Sequence, residues 1–145
     1  MTRSVLWDSS AILALLDAGD ADHARAVSVA RAIASEKRPS FITNYVEAEA
    51  HALLLRKLGR AIARQWLFMG GLPVVQVLPA EEQRAKEILA RHTDKDWTLC
   101  DAMSFAVLDA RRVTRAFTFD HHFRQYRRIQ VLGLDCSTCD AIDDL

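Results

Sequence analysis

The sequence predicts an α/β protein of three layers, with a mainly parallel central sheet held between helices. Two observations predict it. Short runs rich in β-branched and aromatic residues recur along the chain, and most are followed by longer segments of helical period. Strands separated by helices are joined by crossovers, which gives a parallel sheet covered on both faces. At 145 residues, half of them hydrophobic, the chain is long enough for a core of its own, and a single domain over residues 1–145 is expected.

The elements follow in order. "SVLW" (4–7) is the first strand, and Ser9 and Ser10 are placed to cap a short helix over 10–17. Residues 20–37 form an amphipathic helix, with Val27, Ala30, Ile33 and Ala34 at helical spacing; Pro39 stops it. "SFIT" (40–43) is the second strand. Asn44 is placed to cap the next helix, which runs to Leu58 before Gly59, and another covers Arg60 to Phe68. Gly70, Gly71 and Pro73 break the chain before a third strand, "VVQVL" (74–78). Residues 80–92 are helical, "HTDKDWT" is a loop, and a helix covers Leu99 to Arg112. The strand "RAFTF" (115–119), a short helix through Tyr126 and a last strand near "IQVLG" complete the chain.

Bulk properties exclude several classes. No apolar run approaches the roughly 20 residues of a membrane span, and "MTRSVLWDSS" lacks a signal-peptide h-region. A cytoplasmic protein is expected. Three cysteines, Cys100, Cys136 and Cys139, cannot all pair internally, and one CxxC without a second pair is half of a structural zinc site. Free thiols are the expectation. The net charge is zero, so bulk charge does not attract polyanions. Arg111, Arg112, Arg115, Arg124, Arg127 and Arg128 nevertheless crowd one segment, and Asp135, Asp140, Asp143 and Asp144 crowd the tail. The arginine forks suit phosphate; a solvated basic face is the alternative.

In parallel α/β sheets, ligands sit at the carboxyl ends of the strands. Two predicted strands run into aspartate there: "SVLW" into Asp8 and "AFTF" into Asp120. Asp120 is also a good helix N-cap. Asp101 lies in the first turn of its helix and shares a face with Phe105 and Leu108, so it heads a buried stripe. The helix N-terminus alone would favour a carboxylate there. In "TNYVEAEAHALL" (43–54), Val46, Ala50, Leu53 and Leu54 form the inner face; Glu47 and Glu49 border it on either side, and helical phase does not choose between them. Several converging carboxylates repel, so a cation must join them. Oxygen ligands without an HxxxH or HExxH pattern suit Mg²⁺ or Mn²⁺. Such sites cut phosphodiesters.

Four segments in order resemble the PIN domain family, and within it the VapC-type toxins of bacterial toxin–antitoxin pairs. They are "LWDSSAILALL" with Asp8, "TNYVEAE" with Glu49, "DWTLCDAMSF" with Asp96, Thr98 and Asp101, and "AFTFDHHF" with Asp120. The resemblance implies a PIN-like three-layer fold and a Mg²⁺- or Mn²⁺-dependent endoribonuclease. It also implies an RNA substrate, a small antitoxin partner and a homodimer. It selects Glu49 over Glu47 and makes Asp8, Glu49 and Asp101 core ligands with Asp120 the fourth. Asp96 is a secondary candidate, and Thr98 would orient a ligand or water. His121, His122 and Arg124 would touch substrate phosphate, or else only pack or face solvent.

Rival classes are weaker. A haloacid-dehalogenase-like phosphatase wants a second Asp where Ser10 stands, and neither a P-loop nor a GxGxxG fingerprint is present. A non-catalytic PIN-like module binding RNA or protein would be favoured by loss of an acidic position, and all four are present.

Overall fold

The first strand, β1 (Val5–Trp7), is buried throughout, and its alternation sorts the core. Val5 and Trp7 point into one apolar cluster and Leu6 into the other. The structure, a computed structural model, describes residues 3–135; Cys136, Cys139 and the tail aspartates Asp140, Asp143 and Asp144 lie outside them. Four more strands join β1: β2 (Ser40–Thr43), β3 (Val74–Val75), β4 (Arg115–Phe117) and β5 (Gln130–Leu132). The sheet order is β3-β2-β1-β4-β5, with every pairing parallel. Val5 pairs with Ser40 on one side of β1, and Trp7 with Phe117 on the other.

Helices α1 (Ser9–Leu16), α2 (His23–Ser35), α3 (Asn44–Leu58) and α4 (Arg60–Met69) cover the Val5–Trp7 face. On the Leu6 face lie α5 (Pro79–Arg91), α6 (Leu99–Ala110) and α7 (His122–Tyr126). The expected three-layer α/β/α architecture is present. No helix among the described residues is long and apolar enough to cross a membrane.

Three local expectations change. The third strand is two residues long, because the next backbone donors go to side chains: Val77 N–H donates to Asn44 Oδ1 (2.9 Å) and Leu78 N–H to Glu81 Oε1 (2.8 Å). For the same reason Asn44 does not cap α3; Thr43 does, its hydroxyl accepting from Val46 N–H at 3.0 Å. In α2 the buried face is Ala26, Val29, Ala32 and Ile33, while Ala34 is exposed. Asp17 and Asp20 hold Gly19 N–H and Asp22 N–H in Asx turns, so the helix starts at His23 and presents its small alanines to α1.

From β1 the chain proceeds outward through β2 and β3, whereas β4 and β5 fill the opposite side. The carboxyl ends of β1 and β4 therefore flank the switch point of the sheet, where a crevice opens. Asp8 directly follows β1, and Asp120 lies three residues past β4.

Candidate active site

Asp8 is the N-cap of α1, yet its carboxylate makes no cap hydrogen bond. It turns across the switch point, where Ser10 Oγ (2.9 Å) and Thr118 Oγ1 (3.0 Å) both donate to Oδ2. Those hydroxyls also accept. Phe119 N–H donates to Ser10 Oγ at 3.0 Å, and Asp120 N–H to Thr118 Oγ1 at 2.9 Å. The strand expected to reach Phe119 ends at Phe117 because its next backbone donors turn to these hydroxyls after Thr118 N–H donates to Leu132 O. Thr118 thus ties Asp8 to the backbone of Asp120. Ser9 and Ser10 are not caps, as their sequence position suggested; Ser10 serves Asp8, and Ser9 Oγ donates to Glu49 Oε1.

Asp8 is 3% exposed and, among the described residues, has no cationic partner. Burial pushes its pKa up to about 6; Ser10 opposes the rise, Glu49 adds to it, Thr118 opposes it and Asp101 adds again. Cys100, half-buried on α6, meets the same field. Burial first, then Glu49 and Asp8, raises its thiol pKa, so it stays protonated and is not a nucleophile at neutral pH.

The second half of the site is built on α6 and α7. Thr98 and Asp101 form a capping box: Asp101 N–H donates to Thr98 Oγ1 and Thr98 N–H to Asp101 Oδ2, both at 3.1 Å. The Thr98 hydroxyl, expected to orient a ligand or water, is engaged in this cap. Asp101 is 5% exposed, and its Oδ2 also lies 2.9 Å from His122 Nδ1. Asp120 Oδ1 accepts from His122 N–H at 2.9 Å, fixing the start of α7, and lies 3.4 Å from the same Nδ1. Burial lowers the affinity of His122 for a proton, but the hydrogen bond to Asp101 and the charges of Asp120, Asp101 and Asp96 outweigh it and raise its pKa. One ligand atom each from Asp101, Asp120 and His122 lie within 4.8 Å of one another. Two carboxylates and an imidazole are a donor set that fits a divalent cation.

All four expected carboxylates thus meet in one connected region. Glu47 goes elsewhere, lining a small pocket with Trp66 and Leu72. Asp96 is exposed at the rim, close enough to act on His122 through its charge. Sequence reasoning missed Thr118 and underrated His122; their signal was their place beside Asp120 in "TFDHHF". The arginine cluster is largely spent inside the fold. Arg111 grips Glu81, Arg124 pairs with Asp135, Arg127 with Asp109, and Arg115 is buried. Arg112 and Arg128 are exposed, as is Arg124, whose pair with Asp135 lies at the surface.

The family model of the PIN domain matches residues 5–129. The chain belongs to the PIN domain family. Among PIN proteins it is 33% identical over 123 residues to the 23S rRNA-specific endonuclease VapC20 of Mycobacterium tuberculosis, covering 82% of this chain and 91% of that protein. It is 30% identical over 130 residues to ribonuclease VapC26 of the same organism, covering 86% and 93%. The crystal structure of M. tuberculosis VapC20, described as a sarcin-ricin loop cleaving toxin, matches with a TM-score of 0.74 at 29% identity, over 88% of this chain and 98% of that one. This PIN domain is therefore VapC-type in sequence and in fold.

Proposed function

We propose that this VapC-type PIN domain is a Mg²⁺- or Mn²⁺-dependent endoribonuclease, the toxin of a toxin–antitoxin pair, acting in the cytoplasm as a single domain. The observation that carries the reading is the meeting of Asp8, Glu49, Asp101 and Asp120 at the switch point of the sheet, with Asp8 buried and no cationic side chain bonded to it among the described residues. Burial of uncompensated carboxylates is costly unless something positive binds. Asp8, Glu49, Asp101 and Asp120 would hold the ion; Asp101 and Asp120 already bring ligand atoms within 4.8 Å of each other and of His122, and Glu49 is held by the Ser9 hydroxyl. A divalent cation supplies a Lewis acid for a phosphoryl oxygen and activates water. Thr118 and Ser10 hold the Asp8 carboxylate in one orientation, and the α6 cap does the same for Asp101.

The relatives make 23S rRNA the substrate to present first. A protein partner finds support on the opposite side of α1, where a groove of about 460 Å³ is lined by Trp7, Ile12, Leu16, Ile62, Trp66 and Met69. Phe68 and Met69 stand 71% and 78% exposed at the end of α4. A small antitoxin, or a second copy of this chain, would cover such a face.

The deciding experiment incubates purified protein with ribosomal RNA, with Mn²⁺ or Mg²⁺ and with chelator, and sequences the new RNA ends. Discrete metal-dependent ends that vanish in Asp101→Asn are expected. An Asp101→Asn protein cutting at the wild-type rate would overturn the site assignment.

A further inference from the structure

The expected metal set was oxygen only, but the structure inserts a nitrogen. His122 Nδ1 faces Asp101 Oδ2 at 2.9 Å and Asp120 Oδ1 at 3.4 Å. Adjacent ligands of an octahedral ion at about 2.1 Å stand about 3 Å apart. The nitrogen therefore stands near ligand spacing from both oxygens, and one ligand atom from each of the three residues lies within 4.8 Å of the others. The ring is also held for the task. His122 opens α7, its N–H bonded to Asp120, while Phe123 beside it is fully buried against Phe105. Its side chain stays 29% exposed and Asp120 33%, so the cluster opens to solvent, and Asp101 forms its floor at 7%. The histidines His23 and His92 hydrogen-bond to Ala14 O and Ile88 O, outside the acidic region.

We propose that His122 is a direct metal ligand through its ring nitrogen, and that it makes this site select Mn²⁺-type transition ions over Mg²⁺. Imidazole suits transition metals, whereas Mg²⁺ demands hard oxygen ligands and keeps its waters. A carboxylate-only site, which suits Mg²⁺ and Mn²⁺ alike, has less of that discrimination. The inference rests on the metal-dependent nuclease reading and adds to it the identity of one ligand and the class of ion.

The test uses the whole protein and Mn²⁺ itself. Pulsed electron paramagnetic resonance of the Mn²⁺-loaded protein is expected to show hyperfine coupling to an imidazole nitrogen, absent in His122→Asn. Calorimetry is expected to give a preference for Mn²⁺ over Mg²⁺ that falls by roughly tenfold in the same variant. His122→Asp, which restores an oxygen ligand, should recover binding without the preference, and its melt in chelator reports folding. Mn²⁺ that binds with no nitrogen coupling in the wild type would overturn this inference and leave the nuclease reading standing. Coupling that survives His122→Asn would overturn it too, since the nitrogen would come from elsewhere. No Mn²⁺ binding at millimolar concentration would overturn both.

Discussion

Glu81 and Asp8 are buried to nearly the same depth, 5% and 3% exposed, yet their surroundings are opposite. Arg111 closes on Glu81 with two parallel bonds, Nε to Oε2 and Nη2 to Oε1, both 3.0 Å, and Leu78 N–H adds a third. Its pKa is lowered, first by the Arg111 hydrogen bond. That carboxylate is completed from within and joins α5 to the end of α6. Asp8 has two hydroxyls and two like-charged neighbours, and its pKa rises to about 6. The chain matches a buried carboxylate with arginine at Glu81 but, among the described residues, gives Asp8 no such partner, and that is the gap the proposed ion would fill. Perturbation of the second kind marks function and of the first kind architecture.

The comparison breaks first on activity. Asp8→Asn and Asp101→Asn should each lower metal-dependent RNA cleavage by orders of magnitude, because each removes charge from the ion's site. In chelator at neutral pH Asp8→Asn should not lose stability, since a like-charged neighbour is removed. Cleavage that survives both substitutions, measured on one RNA under one metal, would place the chemistry elsewhere. Glu49→Gln comes next, with an expected loss of about 10–100-fold in cleavage and little change in the urea midpoint.

The pH dependence of stability separates the two carboxylates by sign. Asp8 ionises near 3.8 when unfolded and near 6 when folded, so the folded state is favoured below 3.8 and that advantage disappears as pH rises through about 6. A shift of about two units corresponds to about 3 kcal/mol. In chelator, the advantage of Asp8→Asn over wild type should therefore grow between pH 4 and pH 7, by up to about 3 kcal/mol. Glu81 runs the other way: its folded pKa lies below the ordinary 4.5, so its contribution is present above that value and is lost as pH falls through the folded pKa. Urea melts of Asp8→Asn and Glu81→Gln across this range read both slopes; parallel slopes would erase the distinction.

Glu81→Gln should cost about 2 kcal/mol, below the usual 3–5 for breaking a buried pair because Arg111 keeps 32% of its side chain exposed. Cleavage per folded molecule should not change. Smallest of all is Glu47→Gln, expected to match wild type in cleavage and within about 0.5 kcal/mol in stability. A loss of cleavage at Glu47 with none at Glu49 would reverse the α3 assignment.

Much of the fold was legible because its signals are local. Apolar runs gave the strands, helical period gave the helices, and their alternation gave a parallel sheet with Asp8 and Asp120 at one edge. The site was legible only in part. Glu47 and Glu49 are alike to helical phase, and a family motif had to separate them. Ser9 and Ser10 looked like caps because sequence presents only near neighbours. Ser9 donates to Glu49, 40 residues away, and Ser10 accepts from Phe119 N–H, 109 residues away, while serving Asp8. His122 was hidden for the same reason: its meaning comes from Asp101, on a helix that only the folded sheet brings beside it. β3 fell short because Asn44, at the start of α3, captured Val77 N–H.

The bond from Thr118 to Asp8 spans 110 residues of chain. A nascent polypeptide that has not reached Thr118 holds Asp8 without that anchor and lacks Asp120 and His122 altogether. At roughly 5–20 residues per second, synthesis leaves the growing chain in that state for roughly 6–22 s. A site whose outermost members, Asp8 and His122, stand so far apart along the chain cannot assemble until nearly all of the sequence between them has been made.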